Sequence, residues 1–175
     1  MQKNIWAKTV LTSYRFLEKV SDAIDRLVET KALNSFYMGG NNFSQNNVLE
    51  VSESLINLIE RKKKLINLKV VCDKSLLSCK EEYAQILIER YIDGDKAKEI
   101  AERHELSMRT YFRRLESAEG EFSAYLSRNG YTEKFLAKTL LSEKWIYEIY
   151  SKFSSIPREE LFQISESYLK KIALS

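Results

Sequence analysis

Residues 96–115 read KAKEIAERHELSMRTYFRRL, and this pattern decides how the surrounding chain folds. Ser107 has the side chain of a helix N-cap, so it predicts that one short helix ends before it and a second begins after it. Tyr111 and Leu115 lie four residues apart and mark the buried face of the second helix. Ala101 in the first helix is small enough to let the two helices cross closely. The stretch therefore predicts a helix-turn-helix.

The second helix of this motif is predicted to enter the major groove of double-stranded DNA with its N-terminal half. The positions expected to reach base edges are Met108, Arg109, Phe112 and Arg113. Arginine suits this place because its planar fork can pair with O6 and N7 of guanine. The positions expected to contact phosphates, which fix the register without reading sequence, are Lys96, Lys98, Ser107, Thr110 and Arg114. No acidic residue interrupts 106–115.

The turn between the two helices holds the chain's one histidine and a departure from the usual motif. The turn position that is commonly glycine is Glu105. If the backbone there needs a positive φ, glutamate costs about 1 kcal/mol. His104, at the end of the first helix, is interpreted as a structural residue.

A longer stretch carries a resemblance to a known family. Residues 81–94 read EEYAQILIERYIDG, and residues 98–103 read KEIAER. Together they resemble region 4 of the sigma-70 family, in which a helix ending in an Arg-Tyr-Xaa-Xaa-Gly-type motif precedes EIAE and the recognition helix. The likeness covers residues 79–122, with departures at Glu105 and at Tyr111, where valine or isoleucine is usual.

The layout of the whole chain resembles the phage late-gene transcriptional activators of the ArpU/RinA type, small sigma-like regulators of Gram-positive bacteria and their prophages. This resemblance implies a cytoplasmic regulator that recognises DNA near promoters without catalysis. It leaves open whether RNA polymerase is also a partner and whether the chain forms a homodimer.

Composition favours a soluble, mostly helical protein. The chain has 175 residues, of which 44% are hydrophobic and 30% charged, with only five glycines and one proline. So few breakers argue against a sandwich with many tight turns and favour the all-α class. No apolar run approaches the roughly 18 residues of a membrane span, and the N-terminus does not resemble a secretory leader. The net charge is +3, and the basic run Arg61–Lys64 is interpreted as a solvated helix face.

The N-terminal part is predicted to form an antiparallel, coiled-coil-like helical hairpin. Helices are expected over 5–33 and 48–71, with an irregular asparagine-rich loop over 34–47. The apolar stripe of the first helix comprises Val10, Tyr14, Leu17, Val20, Ile24 and Leu27. The stripe of the second comprises Val48, Val51, Leu55, Leu58 and Leu65, thickened by Ile59 and Ile66. Each stripe is expected to bury the other.

The remaining helices are placed by caps and breakers. Expected are a third helix over 79–92 capped by Ser78, a fourth over 96–104 capped by Asp95, a fifth over 108–127, a sixth capped by Thr132 and reaching Phe153, and a last one from Pro157 to about 173. The domains that follow are a hairpin over 1–75, a DNA-binding domain over 76–127 and a C-terminal helical pair over 128–175.

Large aromatic side chains concentrate at the C-terminal end. They are Trp145, Tyr147, Tyr150, Phe153, Phe162 and Tyr168. Two interpretations stay open, a plain core packed on residues 108–126 and an exposed patch that makes a dimer or meets a partner.

Other function classes receive little support from the residues. Cys72, Cys79 and a single histidine are too few ligands for a zinc site, so no metal is expected and the cysteines are interpreted as buried thiols. No Ser-His-Asp triad can be assembled, and Gly39-Gly40 lacks the Lys-Ser/Thr of a phosphate loop. We therefore expect no cofactor and no enzyme. The alternatives kept are a phage packaging protein of the terminase small-subunit type and a helical protein–protein interaction module.

Overall fold

A computed structural model of the chain describes residues 4–37 and 45–154, and the regular structure in these ranges is helical. The helices are α1 Ile5–Tyr37, α2 Gln45–Ser78, α3 Glu81–Leu87, α4 Ala97–Arg103, α5 Met108–Arg128, α6 Glu133–Leu140 and α7 Lys144–Phe153. α3 continues directly into a π-helical turn, Ile88–Asp93. The all-α prediction is thus confirmed for the part of the chain that the structure describes.

These helices belong to two compact units. The larger unit combines the described residues of Met1–Arg15 and Val71–Ser175, and the two-helix unit is Phe16–Val70. α1 and α2 each contribute to both units. The N-terminal residues therefore pack with the second half of the chain, although more than fifty residues separate them in sequence.

The two-helix unit joins the middle of α1 to α2 through polar contacts on the flanks of an apolar seam. Its buried hydrophobic side chains are Leu17, Ile24, Leu65 and Leu68. Asp25 pairs with Lys62 at 2.6 Å, Glu18 pairs with Lys69 at 3.5 Å, and the Lys31 ammonium donates to the Ser54 hydroxyl. The residue number on α2 falls as that on α1 rises, so the two helices run antiparallel in this unit.

The seam is narrower than the sequence predicts. Ile59 and Ile66, expected to thicken the buried stripe of α2, are exposed, and Leu27 and Val48 at the loop end are exposed too. Two packed helices can bury only the stripe that faces the partner, since a side chain about 100° round the helix from that stripe points to solvent. The prediction that both stripes are wholly buried is wrong at these positions.

Both long helices also extend further than predicted. Residues 34–37 and 45–47 are helical rather than irregular, and residues 38–44 of the predicted loop lie outside the described ranges. At the other end α2 continues to Ser78, whose hydroxyl donates to the carbonyl of Lys74 at 2.8 Å. Ser78 is therefore the last residue of α2 and not the N-cap of α3, a position that Lys80 occupies.

The core of the larger unit forms where α3, α4 and α5 pack together. Its largest fully buried side chains are Leu11, Ile86, Leu87, Ile100, Tyr111, Phe122, Leu126 and Leu136. Ala101 is buried, as the predicted close crossing requires, and Leu106 in the following turn is half-buried. The start of α1 supplies Trp6, Ala7, Val10 and Leu11 to this core.

The predicted sixth helix is two helices. α6 begins after the Thr132 cap, whose hydroxyl accepts from the amide of Phe135 at 3.4 Å, but it ends at Leu140, and α7 begins at Lys144. The break contains neither glycine nor proline, so the sequence offers no local signal for it.

Aromatic contacts of α7 lie within the larger unit. Tyr150 stacks on Trp6 with ring centroids 4.6 Å apart, and Phe153 meets the edge of Tyr91 at 6.5 Å. These described aromatic side chains thus contact α1 and the π-helical turn. Pro157, Phe162, Tyr168 and the predicted last helix lie outside the described residues. Among the described helices, none has the length and apolar character needed to span a bilayer.

Candidate nucleic-acid interface

The turn between α4 and α5 begins with a tight helix stop. The amide of Leu106 donates to the carbonyl of Ala101 at 2.8 Å, and the amide of Glu105 donates to that of Glu102 at 3.1 Å. This pair of bonds is the Schellman arrangement, which requires a left-handed residue at the first position past the cap. Glu105 is that residue, with φ of 54°. The backbone strain considered from the sequence is therefore present.

Ser107 caps α5 as predicted. Its side chain accepts a hydrogen bond from the amide of Thr110 at 3.2 Å, and its hydroxyl lies 2.9 Å from that of Thr110. The cap satisfies one of the free amides of the first turn and fixes where the helix begins. The direction of every side chain in the first two turns of α5 follows from this start.

The buried face of α5 sets the phase of the helix. Tyr111 is fully buried and Phe112 is 53% exposed, and the buried series continues through Leu115, Ala118 and Phe122. The predicted assignment of Tyr111, and not Phe112, to the core is confirmed. Met108, Arg109, Phe112 and Arg113 consequently share the exposed side, which we call the α5 outer face.

Two arginines give this face its charge. Arg109 and Arg113 are both exposed, lie one helical turn apart, and form no ion pair with any residue in the described ranges. Met108 beside them is also exposed. Two unpaired guanidinium groups on adjacent turns of a helix N-terminal half are positioned to meet acceptor groups of another molecule.

Phe112 lies at the border of the α5 outer face. Its ring meets the edge of Tyr111 at a centroid distance of 5.2 Å, and it lines a cleft of about 530 Å³ together with Leu115 and Phe153. One side of this ring therefore packs against the protein while the other remains exposed. The sequence pattern predicts only a base-facing role for it.

The residues predicted to contact phosphates differ in how they are engaged. Lys96 lies 3.7 Å from Glu99 and Lys98 lies 3.8 Å from Glu102, both as exposed pairs on α4. Arg114 differs because its guanidinium pairs with Glu82 of α3 at 3.2 Å and is only partly exposed. Arg114 therefore ties α5 to α3, whereas the α4 lysines remain largely solvated.

A buried carboxylate fixes α4 against the π-helical turn. Glu89, in that turn, lies 3.0 Å from Nε2 of His104 and 3.2 Å from the guanidinium of Arg103. Arg103 also donates to Asp95 at 3.0 Å, so Asp95 engages the end of α4 instead of capping its start, where Lys96 stands. His104 thus lies in a polar cluster that holds α4 in place.

A second buried carboxylate lies on the buried face of α5 itself. Glu119 is 3% exposed, accepts a hydrogen bond from the Tyr91 hydroxyl, and lies 3.4 Å from the Lys8 ammonium. Burial raises the pKa of Glu119 above its ordinary value, although its bonds to Tyr91 and Lys8 oppose the shift. Burial and the nearby Glu119 raise the pKa of Tyr91, which therefore keeps its proton and donates.

The sequence analysis identifies neither carboxylate, because a glutamate on a helix with many charged residues is usually exposed. A signal for Glu119 was present, since it lies four residues after Leu115 and three before Phe122 on the buried face of α5. Its α1 partner Lys8 carried no such signal, because it is distant in sequence.

The two cysteines of the larger unit, Cys72 and Cys79, are inert buried thiols. Cys72 and Cys79 are both buried and free. Burial raises the pKa of the Cys79 thiol to about 11, with Glu121 adding to the shift. The described residues contain no group of three His, Cys, Asp or Glu side chains placed to hold a metal ion.

Comparison with known proteins finds no relative of this chain. No protein-family profile, no curated protein and no solved structure matches the chain. The function is therefore argued from the geometry of α4 and α5.

Proposed function

We propose that the protein is a sequence-specific DNA-binding regulator of transcription that reads the major groove with the N-terminal half of α5. The observation that carries the proposal is the state of Arg109 and Arg113. Both are exposed on the α5 outer face and unpaired among the described residues, while the opposite face of the same helix is buried. A helix presented in this way fits the groove, and its arginines match the acceptors of guanine.

Some arginines of α5 form an ion pair within the described structure and others do not, which supports assigning them different roles in DNA binding. Arg109 and Arg113 have no internal partner to lose in the described structure, so pairing with a base breaks no ion pair. Arg114 is held by Glu82, which suits a residue that orients the helix or meets a phosphate. We assign base reading to Arg109 and Arg113, and phosphate contacts to Lys96, Lys98, Ser107, Thr110 and Arg114.

The role in transcription is supported by the resemblance of residues 79–122 to region 4 of the sigma-70 family. On this proposal the bound sites lie next to promoters. Footprinting on the DNA of the source organism tests this part separately, because protection confined to promoter-distal sites would contradict regulation while leaving DNA binding intact.

Selection of binding sites from a random duplex pool tests base reading. Arg109→Ala and Arg113→Ala should each weaken binding to the selected site by about 1–3 kcal/mol and relax discrimination at particular base pairs. Lys134→Ala on α6 is the control, because Lys134 is exposed in the same unit and lies on another helix, 21 residues after Arg113. Altered preference for Arg114→Ala with unchanged preference for Arg109→Ala would contradict the assignment.

Salt dependence separates anchoring from reading. Removing Lys96, Lys98 or Arg114 should weaken binding to every duplex alike and reduce the slope of log K against log salt by about one. Absence of salt-dependent binding to any duplex by the unsubstituted chain would contradict DNA binding and favour a protein interaction module.

A further inference from the structure

A row of exposed side chains runs along α2 on the side away from the buried seam. It consists of Leu49, Ser52, Ile56, Ile59, Lys63, Ile66 and Val70. The five apolar members are 42–60% exposed. We call this set the α2 outer row, and it lies wholly within the two-helix unit.

The spacing of the row is that of a coiled-coil seam. Successive members are separated by three, four, three, four, three and four residues, which is the heptad pattern over about 30 Å of helix. The inner side of α2 is already occupied, because Leu65 and Leu68 are buried in the seam with α1. α2 therefore has two apolar stripes, and only one of them is buried against α1. The other stripe is available to pack against a further helix.

Charge along α2 identifies what kind of helix fits. Residues 45–60 contain the acids Glu50, Glu53 and Glu60 and no basic residue, whereas residues 61–64 are Arg-Lys-Lys-Lys. An acidic first half and a basic second half complement the same helix turned end to end.

We propose that the α2 outer row binds a second copy of this chain, with the two α2 helices antiparallel. In the register where opposed residue numbers sum to 115, Leu49 faces Ile66, Ile56 faces Ile59, and Ser52 faces Lys63. Each apolar member of these layers meets an apolar member of the second copy, and the two polar members meet each other. In the same register Glu53 lies level along the helix axis with Lys62 and Lys63 of the second copy.

A parallel pairing lacks this fit. In register, it places Lys63 against Lys63 of the second copy and sets the basic run 61–64 against itself. Like charges in direct opposition are unfavourable, so the antiparallel arrangement is the one the sequence of the row supports. This inference does not depend on the proposed DNA binding, and its tests use no DNA.

The mass of the full chain in solution is the first test. Sedimentation across a concentration series should show a species of twice 20.5 kDa that dissociates on dilution. Ile59→Asp should raise the dissociation constant by roughly a hundredfold, because the substituted layer occurs twice in the symmetric pair. Leu33→Asp is a matched control, since Leu33 and Ile59 are each 56% exposed in the same unit but Leu33 lies on α1 outside the row.

Ser52→Asp tests the direction of the pairing. In the antiparallel arrangement the new carboxylate faces Lys63 of the second copy, so the dissociation constant should fall several-fold, up to about tenfold. In a parallel pair the same carboxylates would face each other and weaken the dimer. Ser52 is exposed, and circular dichroism of each variant establishes that its helices are retained.

Three results would overturn the proposal. They are a chain that stays monomeric throughout the concentration series, a dimer that Ile59→Asp weakens no more than Leu33→Asp does, and a dimer that Ser52→Asp weakens. The first two reject the row as the interface, and the third rejects its antiparallel pairing.

Discussion

At the residue scale, Glu105 shows how far a local sequence pattern carries. The pattern placed the turn correctly and identified Glu105 as the position where glycine is usual, because helix stops are governed by a few neighbouring hydrogen bonds. Its positive φ follows from the bonds that Glu105 and Leu106 donate back to α4. A short-range determinant of this kind can be identified without knowledge of the rest of the fold.

Glu105→Gly should stabilise the protein by about 0.5–1 kcal/mol. Glycine removes the steric cost of the left-handed conformation, and its greater freedom in the unfolded chain offsets part of the gain. Glu102→Gly, at an exposed position inside α4, should instead destabilise by about 1 kcal/mol. Urea denaturation of both variants measures the two effects, and equal destabilisation by both would contradict the strain assigned to residue 105.

Glu119 predicts a pH dependence of stability. Its pKa is raised by burial, so the folded chain holds this proton at a pH where the unfolded chain, with a pKa near 4.5, has released it. The stabilisation from this group is present below pH 4.5 and is lost as the pH rises through the folded pKa.

Replacing Glu119 with glutamine removes that dependence. The stability of Glu119→Gln relative to the parent should increase from pH 4 to pH 8, as followed by urea denaturation. Glu102→Gln is the control, because Glu102 is exposed, and its difference from the parent should stay nearly constant. If the stability of Glu119→Gln relative to the parent decreased as the pH rises, the bonds to Tyr91 and Lys8 would lower the pKa of Glu119 by more than burial raises it.

At the element scale, the N-caps of helices are easier to predict from the sequence than the points at which helices end. Ser107 and Thr132 cap α5 and α6 as expected, because each cap involves only four consecutive residues. Ser78 has an equally good capping pattern but is the last residue of α2, which extends past its predicted end at residue 71. Periodicity identified the stripe of α2 in which Leu65 is buried, but it did not separate that stripe from the neighbouring Ile59 and Ile66, which are exposed.

The crossing of α4 and α5 depends on the small side chain at Ala101. That side chain is almost fully buried between elements that pack together, so Ala101→Leu should overpack the crossing and cost about 1–3 kcal/mol. Ala124→Leu adds the same groups at an exposed position on α5 and should have little effect. Thermal melts compare the two, and a parent-like melting temperature for Ala101→Leu would contradict a close crossing.

At the scale of the whole molecule, the grouping of residues 1–15 with residues after 70 is the feature that no local pattern carries. The sequence divides the chain into consecutive segments at 75 and 127, since linkers and caps are all it offers. The structure instead joins the start of α1 to the second half of the chain through Trp6, Val10 and Leu11. Such a grouping depends on contacts between residues far apart in sequence, which periodicity and propensity do not encode.

This grouping predicts that residues 16–70 can be excised while residues 1–15 cannot. The hydroxyl of Tyr14 donates to Asp73 at 2.6 Å, so the cut ends lie close, and a linker of about six residues, spanning about 20 Å, suffices to join them. The joined chain should unfold cooperatively with a stability near that of the parent's larger unit, and it should retain any DNA binding because α4 and α5 are unchanged.

A fragment that begins at Val71 should be far less stable, because it exposes the surfaces that Trp6, Val10 and Leu11 cover, each of which contributes about 1.5–3 kcal/mol by burial. That sum is comparable to the whole stability of a small domain, about 5–15 kcal/mol. Denaturant titration of both proteins measures the difference in stability. Unfolding is followed by far-UV circular dichroism, because the fragment lacks Trp6 and tryptophan fluorescence would not be comparable. Equal midpoints would mean that residues 1–15 contribute nothing to this unit, and the larger unit would then have to be redrawn to begin after residue 70.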